Sequence, residues 1–529
     1  MIKGHYSDVW QAVAQALPDR PAIEDAAGNR WSYQQFTQDA GALAAFLTAR
    51  GLQPGDRVAI LAHNRPEFLV TLFACLATGL TPAPLNYRFR AGEIAALLDD
   101  SDAAALVYTS SLRDNVAEAT QGRDITLIAI DDTGAPDGLG VPWAEAVAKP
   151  APLPEGVPDD TELWVYTGGT TGQPKAAVWL AEDILALQLY SAYAPLGIDL
   201  PTTMEQVVDI ARGPDTPYVV TLPLAPFMHG TALFTAMNTL VVGGTVLVTS
   251  NARLDADQAV ELVLERDVTR LVVAGDAVTL PVVDAAERAG VTRLGKVNSV
   301  ISSGMRFSPE VKRRLHELGD ITIVDLLAAT EAGPFAVTTT SSVADLPGLP
   351  ELQPTAVVLD EEFNEVQDQP GARGILGLRG TLPVRYHGDE EKTRETFPII
   401  NGHRTVIPGD WVNVLPDRRV ELLGRGSSVI NTGGEKVYPA EVEEALVTHP
   451  KVTDAAVVGV PDPRFGEVVA AVVVADGEVS EAELSEHLDA QLAGYKKPRK
   501  YVFRESLERS PHGKVDLRRM RDSIIEAGA

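Results

Sequence analysis

The chain has 529 residues, 45% hydrophobic and 22% charged, an ordinary globular balance in a length that calls for about two to four lobes rather than one core. Its 45 basic and 73 acidic residues leave a net charge of −28, which argues against nucleic acid or an anionic membrane as partner and requires any phosphate site to gather its cations locally. A single cysteine, Cys75, excludes intrachain disulfides and cysteine-rich metal sites, and its apolar neighbours mark it as a core residue rather than a nucleophile.

The N-terminal MIKGHYSDVW has no apolar signal core, so a cytoplasmic location is expected. Helical spacing predicts helices over Ser7–Leu17 and Thr37–Arg50, and Pro54-Gly55 turns the chain into a strand at Val58–Leu61. Phe68–Leu85 is uncharged over 18 residues, but Thr71, Thr78, Gly79, Thr81, Pro82 and Pro84 interrupt it; it reads as a buried helix and a turn, not a membrane span. Helix Glu93–Leu98 and strands Ala104–Tyr108 and Ile125–Ile130 continue the alternation, which implies a parallel sheet covered by helices. After a Pro-rich acidic connection (Pro150–Asp160), a second series follows. Its strands are Tyr218–Leu224, Thr245–Thr249, Leu271–Val273, Val297–Ile301 and Ile321–Asp325, with helices Thr231–Leu240, Asp255–Arg266 and Pro309–Leu318. Pro195–Pro217 reads as a polar insertion near a site mouth. Residues 355–425 suggest a small β-rich lobe, and residues 426–529 a separate α+β domain.

The stretch Trp164–Leu180, WVYTGGTTGQPKAAVWL, carries the strongest chemical signal. Gly168, Gly169 and Gly172 let backbone N–H groups turn inward, Thr167, Thr170 and Thr171 add hydroxyl donors, and Lys175 adds a positive point charge. Such groups suit a polyphosphate. A Walker A loop would place Gly directly before the Lys and a helix after it; here Pro174 precedes Lys175 and a strand-like run follows, so the reading is strand–loop–strand. The alternative is a Gly/Thr-rich hairpin without chemical purpose.

The order of these residues resembles the phosphate-binding signature of the adenylate-forming superfamily: acyl-CoA synthetases, luciferases and peptide-synthetase adenylation domains. Further motifs extend the resemblance over nearly the whole chain, in the expected order. Phe227-Met228-His229-Gly230 matches a motif beside the carboxylate pocket, so His229 would position the acid, with Phe227, Leu233, Phe234 and Gly304 lining the pocket. Taken alone, His229 reads more readily as a helix cap. Ser303-Gly304-Met305 and Asp325-Leu326-Leu327-Ala328 follow successive strands, where nucleotides bind in such sheets. Thr330 and Glu331 match the catalytic Thr-Glu pair; the resemblance implies a hydroxyl on the α-phosphate and Mg²⁺ held at Glu331, with Thr170 as a second metal contact. The family's usual Tyr-Gly-x before that pair is replaced by Leu327-Ala328-Ala329, which removes an aromatic surface against adenine. Asp410 and Arg425 match positions that bind the ribose and phosphates, and Gly433, Gly434 and Lys436 match a segment that contacts CoA. Gly426-Ser427-Ser428 stands where relatives carry a hinge Asp or Lys, and Pro511-His512-Gly513-Lys514 resembles the mobile catalytic lysine motif.

The resemblance implies an α/β protein with a large N-terminal domain (1–425) of two helix-covered, mainly parallel sheets and a small β-rich lobe. A small mobile α+β domain (426–529) would carry Lys514. The implied reaction forms acyl-AMP from ATP and a carboxylic acid and then acyl-CoA, with ATP, Mg²⁺ and CoA required and a homodimer as an added expectation. The apolar pocket residues favour an apolar acid, long-chain or polycyclic like a steroid or terpenoid, over an amino acid. Open alternatives are an adenylating enzyme that hands its acyl group to a carrier protein, a luciferase-like oxidase, an enzyme favouring one half-reaction, and a nonenzymatic nucleotide sensor.

Overall fold

The computed structural model describes every residue except 1, 3, 136, 155, 168–173, 426–429, 433–434, 463–464, 490, 493, 510–514 and 528–529. The described residues form an α/β protein of two compact units. The first comprises 1–334, 338–348 and 380–395; the second comprises 335–337, 349–379 and 396–529. Residues 355–379 and 396–425 group with 426–529 in the second unit.

The first unit holds two parallel sheets. One runs Thr81–Pro84, Arg57–Leu61, Ala103–Thr109, Thr126–Ile130 and Val141–Pro142, every neighbouring pair parallel. The other runs Thr322–Ala329, Ser299–Ser303, Arg270–Val273, Val220–Pro223, Thr245–Val248 and Pro21–Asp25 in parallel, with Arg30–Ser32 added antiparallel. Pro21–Asp25 belongs to this second sheet although it precedes the whole first sheet in sequence. Its partner Thr245–Val248 lies more than two hundred residues away, so no local pattern announces the pairing.

The buried helix expected over Glu67–Thr78 spans Pro66–Thr78. Pro66 suits the first turn because its missing N–H would be unpaired there, and Gly79 ends the helix at φ +74°. A Cβ on Gly79 would also meet the Pro158 ring at 2.9 Å. This helix is buried on nearly every face and packs Phe73 edge-on to Trp10 (4.1 Å) and stacked on Phe36 (5.3 Å). Such aromatic pairs add about 0.5–1.5 kcal/mol each beyond the area they bury. Cys75 is fully buried there, and burial pushes its thiol far up, which fits a core residue. No helix among the described residues is long and apolar enough to cross a membrane.

Other expectations are corrected. Pro195–Pro217 is not simply a polar insertion: it contains the helix Met204–Arg212, capped by Thr203 and burying Val207 and Ala211. The helices Ala181–Tyr193 and Gly275–Arg288 were not expected; the latter carries Pro281 within it, a residue that disfavours a helix interior. The strand expected to end at Asp325 runs on to Ala329, so Asp325–Ala328 lie within a strand rather than after it.

In the second unit, Ala356–Leu359, Arg373–Leu378, Asp410–Val414 and Val420–Arg425 form an antiparallel sheet. A further sheet pairs Val452–Asp462 with Gly466–Ala475, flanked by Ile430–Thr432 and Lys500–Phe503 and packed by the helix Pro439–Val447.

Candidate active site

Four adjacent parallel strands of the second sheet end side by side, and the C-terminal ends of three of them lead to expected residues. Val220–Pro223 leads to Phe227 and His229, Arg270–Val273 to Gly275, Ser299–Ser303 to Gly304 and Met305, and Thr322–Ala329 to Thr330 and Glu331. Ligands bind at this edge in open α/β sheets because the loops diverge there.

Each loop is tied down. Ser303 Oγ donates to Leu326 O at 3.0 Å, and Gly304 turns at φ +82°. Gly275 packs so closely against this turn that a Cβ on it would lie 2.1 Å from Arg306 O. His229 is the N-cap residue of the helix Gly230–Val241, and its carbonyl accepts from Leu233 N at 3.1 Å. Phe227 and Leu233 are fully buried in the main apolar cluster, whereas Phe234 is part-exposed and meets Trp179 edge-on at 6.5 Å. Asp325 engages Lys312 rather than standing free: Nζ lies 2.7 Å from Oδ2. Burial raises the Asp325 carboxyl above the ordinary carboxylate range, and Lys312 opposes that rise.

The strands Glu162–Thr167 and Lys175–Leu180 pair antiparallel from Glu162↔Leu180 to Thr167↔Lys175, so the expected strand–loop–strand is present on both sides of the loop. Thr167 Oγ1 donates to Lys175 O at 3.3 Å. Gly168, Gly169, Thr170, Thr171 and Gly172 lie outside the described residues. A third strand, Arg385–Tyr386, adds to the hairpin with Arg385 opposite Val178 and Tyr386 opposite Ala177. This strand joins the hairpin to the Thr-Glu pair, because Tyr386 OH donates to Glu331 Oε1 at 2.7 Å. Three residues further on, Asp389 forms an ion pair with Lys175. Sequence reasoning missed Tyr386 and Asp389: one Tyr and one Asp between short β-segments carry no local signature.

Thr330 and Glu331 offer hard oxygen donors, which fit Mg²⁺. Among the described residues no group of three or more His, Cys, Asp and Glu side chains could hold a metal. One carboxylate beside a hydroxyl suits a cation that takes most of its ligands from phosphate and water, as Mg²⁺ does.

In the second unit, Asp410 and Arg425 are direct partners across the Asp410–Val414/Val420–Arg425 hairpin. Lys436 lies on the strand Glu435–Val437 opposite Asn431. Gly433, Gly434, the segment Gly426-Ser427-Ser428 and Lys514 lie outside the described residues.

A family model described as "AMP-binding enzyme" matches residues 10–385, and one described as "AMP-binding enzyme C-terminal domain" matches residues 441–514. The chain belongs to the AMP-binding enzymes. Within them it is of the acyl-CoA synthetase type of the adenylate-forming superfamily, an AMP-forming acid–thiol ligase. It is 36% identical to the "Medium/long-chain-fatty-acid--CoA/3-oxocholest-4-en-26-oate--CoA ligase" of Mycolicibacterium smegmatis, over 99% of this chain and 97% of that one. To the "3-oxocholest-4-en-26-oate--CoA ligase" of Rhodococcus rhodochrous it is 34% identical, over 98% and 95%. Among solved structures, ATP-bound MatB from Rhodopseudomonas palustris is similar at a TM-score of 0.78 and 27% identity, covering 97% of this chain and 98% of that one. Thr330, Glu331 and the Glu162–Leu180 hairpin thus lie in one unit, joined by Tyr386.

Proposed function

We propose that the protein activates an apolar carboxylic acid, long-chain or polycyclic and steroid-like, to acyl-AMP and passes the acyl group to CoA. The observation that carries this reading is the Tyr386–Glu331 hydrogen bond, which ties a Thr-Glu pair at a parallel-strand edge to a Gly/Thr/Lys hairpin. Relatives named for fatty-acid and 3-oxocholest-4-en-26-oate substrates match over nearly the whole chain and support the choice of acid.

In the first half-reaction a carboxylate oxygen attacks the ATP α-phosphorus and pyrophosphate leaves. Two anions must approach, so positive charge and alignment dominate the barrier. Thr167, Gly168, Gly169, Thr170, Thr171, Gly172 and Lys175 would hold the β- and γ-phosphates, the part that departs. Thr330 would donate to the α-phosphate, and Lys514 would bridge that phosphate and the acid. Mg²⁺, held at Glu331 with Thr170, would neutralise charge on the phosphate oxygens. His229 would orient the acid, whose apolar part would lie toward Phe234. Ser303, Gly304, Met305 and Leu326–Ala328 would cover the adenine, Asp410 the ribose hydroxyls, and Arg425 the ribose or phosphates.

In the second half-reaction the CoA thiol displaces AMP, which requires Lys514 to leave and the thiol to enter. Rotation of the 426–529 domain about Gly426–Ser428 would do both and bring Gly433, Gly434 and Lys436 to CoA. The test is a panel of acids assayed for AMP release with and without CoA. Release that needs CoA and favours long-chain or polycyclic acids over acetate is expected; equal turnover of acetate removes the substrate reading. AMP release independent of CoA but dependent on a carrier protein would favour the carrier-transfer alternative.

A further inference from the structure

The segment Arg385–Asp389 touches both charged halves of the phosphate site. Its strand is fixed to the hairpin by Arg385↔Val178 and Tyr386↔Ala177, by Val384 N and His387 N donating to Val178 O (2.8 Å) and Ala176 O (3.0 Å), and by the His387 ring 4.1 Å from Trp164. Arg385 Nη2 also donates to Glu162 Oε1 at 2.8 Å. From this fixed strand Tyr386 OH reaches Glu331 Oε1 at 2.7 Å and Asp389 reaches Lys175. The Asp389 carboxylate is divided: Oδ1 accepts from Lys392 N at 2.8 Å at the start of the helix Glu390–Thr396, and Oδ2 faces Lys175 Nζ.

We propose that Arg385–Asp389 is a positioning strap, in which Tyr386 orients Glu331 for the cation and Asp389 parks the Lys175 ammonium until the triphosphate displaces it. The proposal rests on the reading that the hairpin takes the β- and γ-phosphates and Glu331 the cation. Its physical basis is competition. A carboxylate with one oxygen held by a phenol has one preferred orientation left for a ligand, so the hydroxyl lowers the ordering cost of cation binding. An ammonium already paired with Asp389 must exchange that partner for phosphate, so Asp389 weakens ATP binding in proportion to the pairing it offers.

The experiment uses the full chain and MgATP binding by calorimetry without any acid, with thermal unfolding alongside. Tyr386→Phe should raise the Mg²⁺ concentration needed for half-maximal ATP binding by about tenfold while leaving the melting temperature nearly unchanged. Asp389→Asn keeps an acceptor for Lys392 N, since Asn caps helices as well as Asp does, but removes the charge. It should tighten MgATP binding by about three- to tenfold, and the gain should vanish in a Lys175→Met background. Unchanged Mg²⁺ dependence in Tyr386→Phe, or unchanged or weaker binding in Asp389→Asn, overturns the strap. If the unaltered protein binds no MgATP, the functional reading falls together with the strap; binding without either shift overturns the strap alone.

Discussion

Lys312 Nζ lies 2.7 Å from Asp325 Oδ2, and the lysine is 4% exposed. The ammonium also sits over the Phe307 ring, 5.1 Å from its centre, so a helix residue locks the strand that leads to Thr330 and Glu331. Removing one partner of a buried pair leaves the other charge uncompensated. Lys312→Met is therefore expected to cost about 3 kcal/mol in urea unfolding, and Asp325→Asn added to it should restore much of that loss. Full additivity of the two changes would show that the pair is not coupled.

Asn64 makes three hydrogen bonds to one loop: Nδ2 donates to Pro223 O (3.0 Å) and Ala225 O (2.9 Å), and Oδ1 accepts from Phe227 N at 2.7 Å. The side chain is buried, so truncation strands three backbone groups without water. Asn64→Ala should cost roughly 2–4 kcal/mol and raise KM for the acid more than KM for ATP, because the loosened loop carries Phe227 to His229. Equal changes in both KM values would separate the loop from acid binding.

Burial pushes the Glu443 carboxyl up to about 7; the Val457 N–H (2.7 Å to Oε1) and Arg509 oppose the rise, while Asp454 and Glu444 add to it. The folded protein therefore holds the proton more tightly than the unfolded chain. This contribution to stability is full below the usual Glu range and is lost as pH rises through about 7. Glu443→Gln keeps an acceptor for Val457 N and should stabilise by roughly 2–3 kcal/mol at pH 8 relative to its effect at pH 5. A pH-independent difference in melting temperature would contradict the assignment.

Lys514→Ala should abolish acid-dependent ATP–pyrophosphate exchange yet spare thioester formation from supplied acyl-AMP, a loss of about 10²-fold or more in the first step only. Single-turnover assays of each half-reaction measure this. Equal failure of both would remove the proposed role.

Much of this protein was legible in the chain by itself. Hydrophobic alternation marked most strands of both parallel sheets and the buried helix Pro66–Thr78, because burial of a strand or helix face imposes a local period on sequence. The Gly/Thr/Lys order of residues 167–175 and the Thr330-Glu331 pair marked the family, because phosphate chemistry demands those groups close together in the chain. Burial and pairing across long separations leave no such trace. Pro21–Asp25 reads as nothing in particular until Thr245–Val248 lies beside it, and Pro281 reads as a breaker until packing overrides it. Nothing in the sequence signals that Asp325 pairs with Lys312, and Tyr386 and Asp389 acquire meaning only when the Arg385–Tyr386 strand closes onto the hairpin. Local chemistry determined the class of enzyme; only the tertiary structure, by bringing residues 175, 331, 386 and 389 together, decided how the Gly/Thr/Lys hairpin is joined to the Thr330-Glu331 pair.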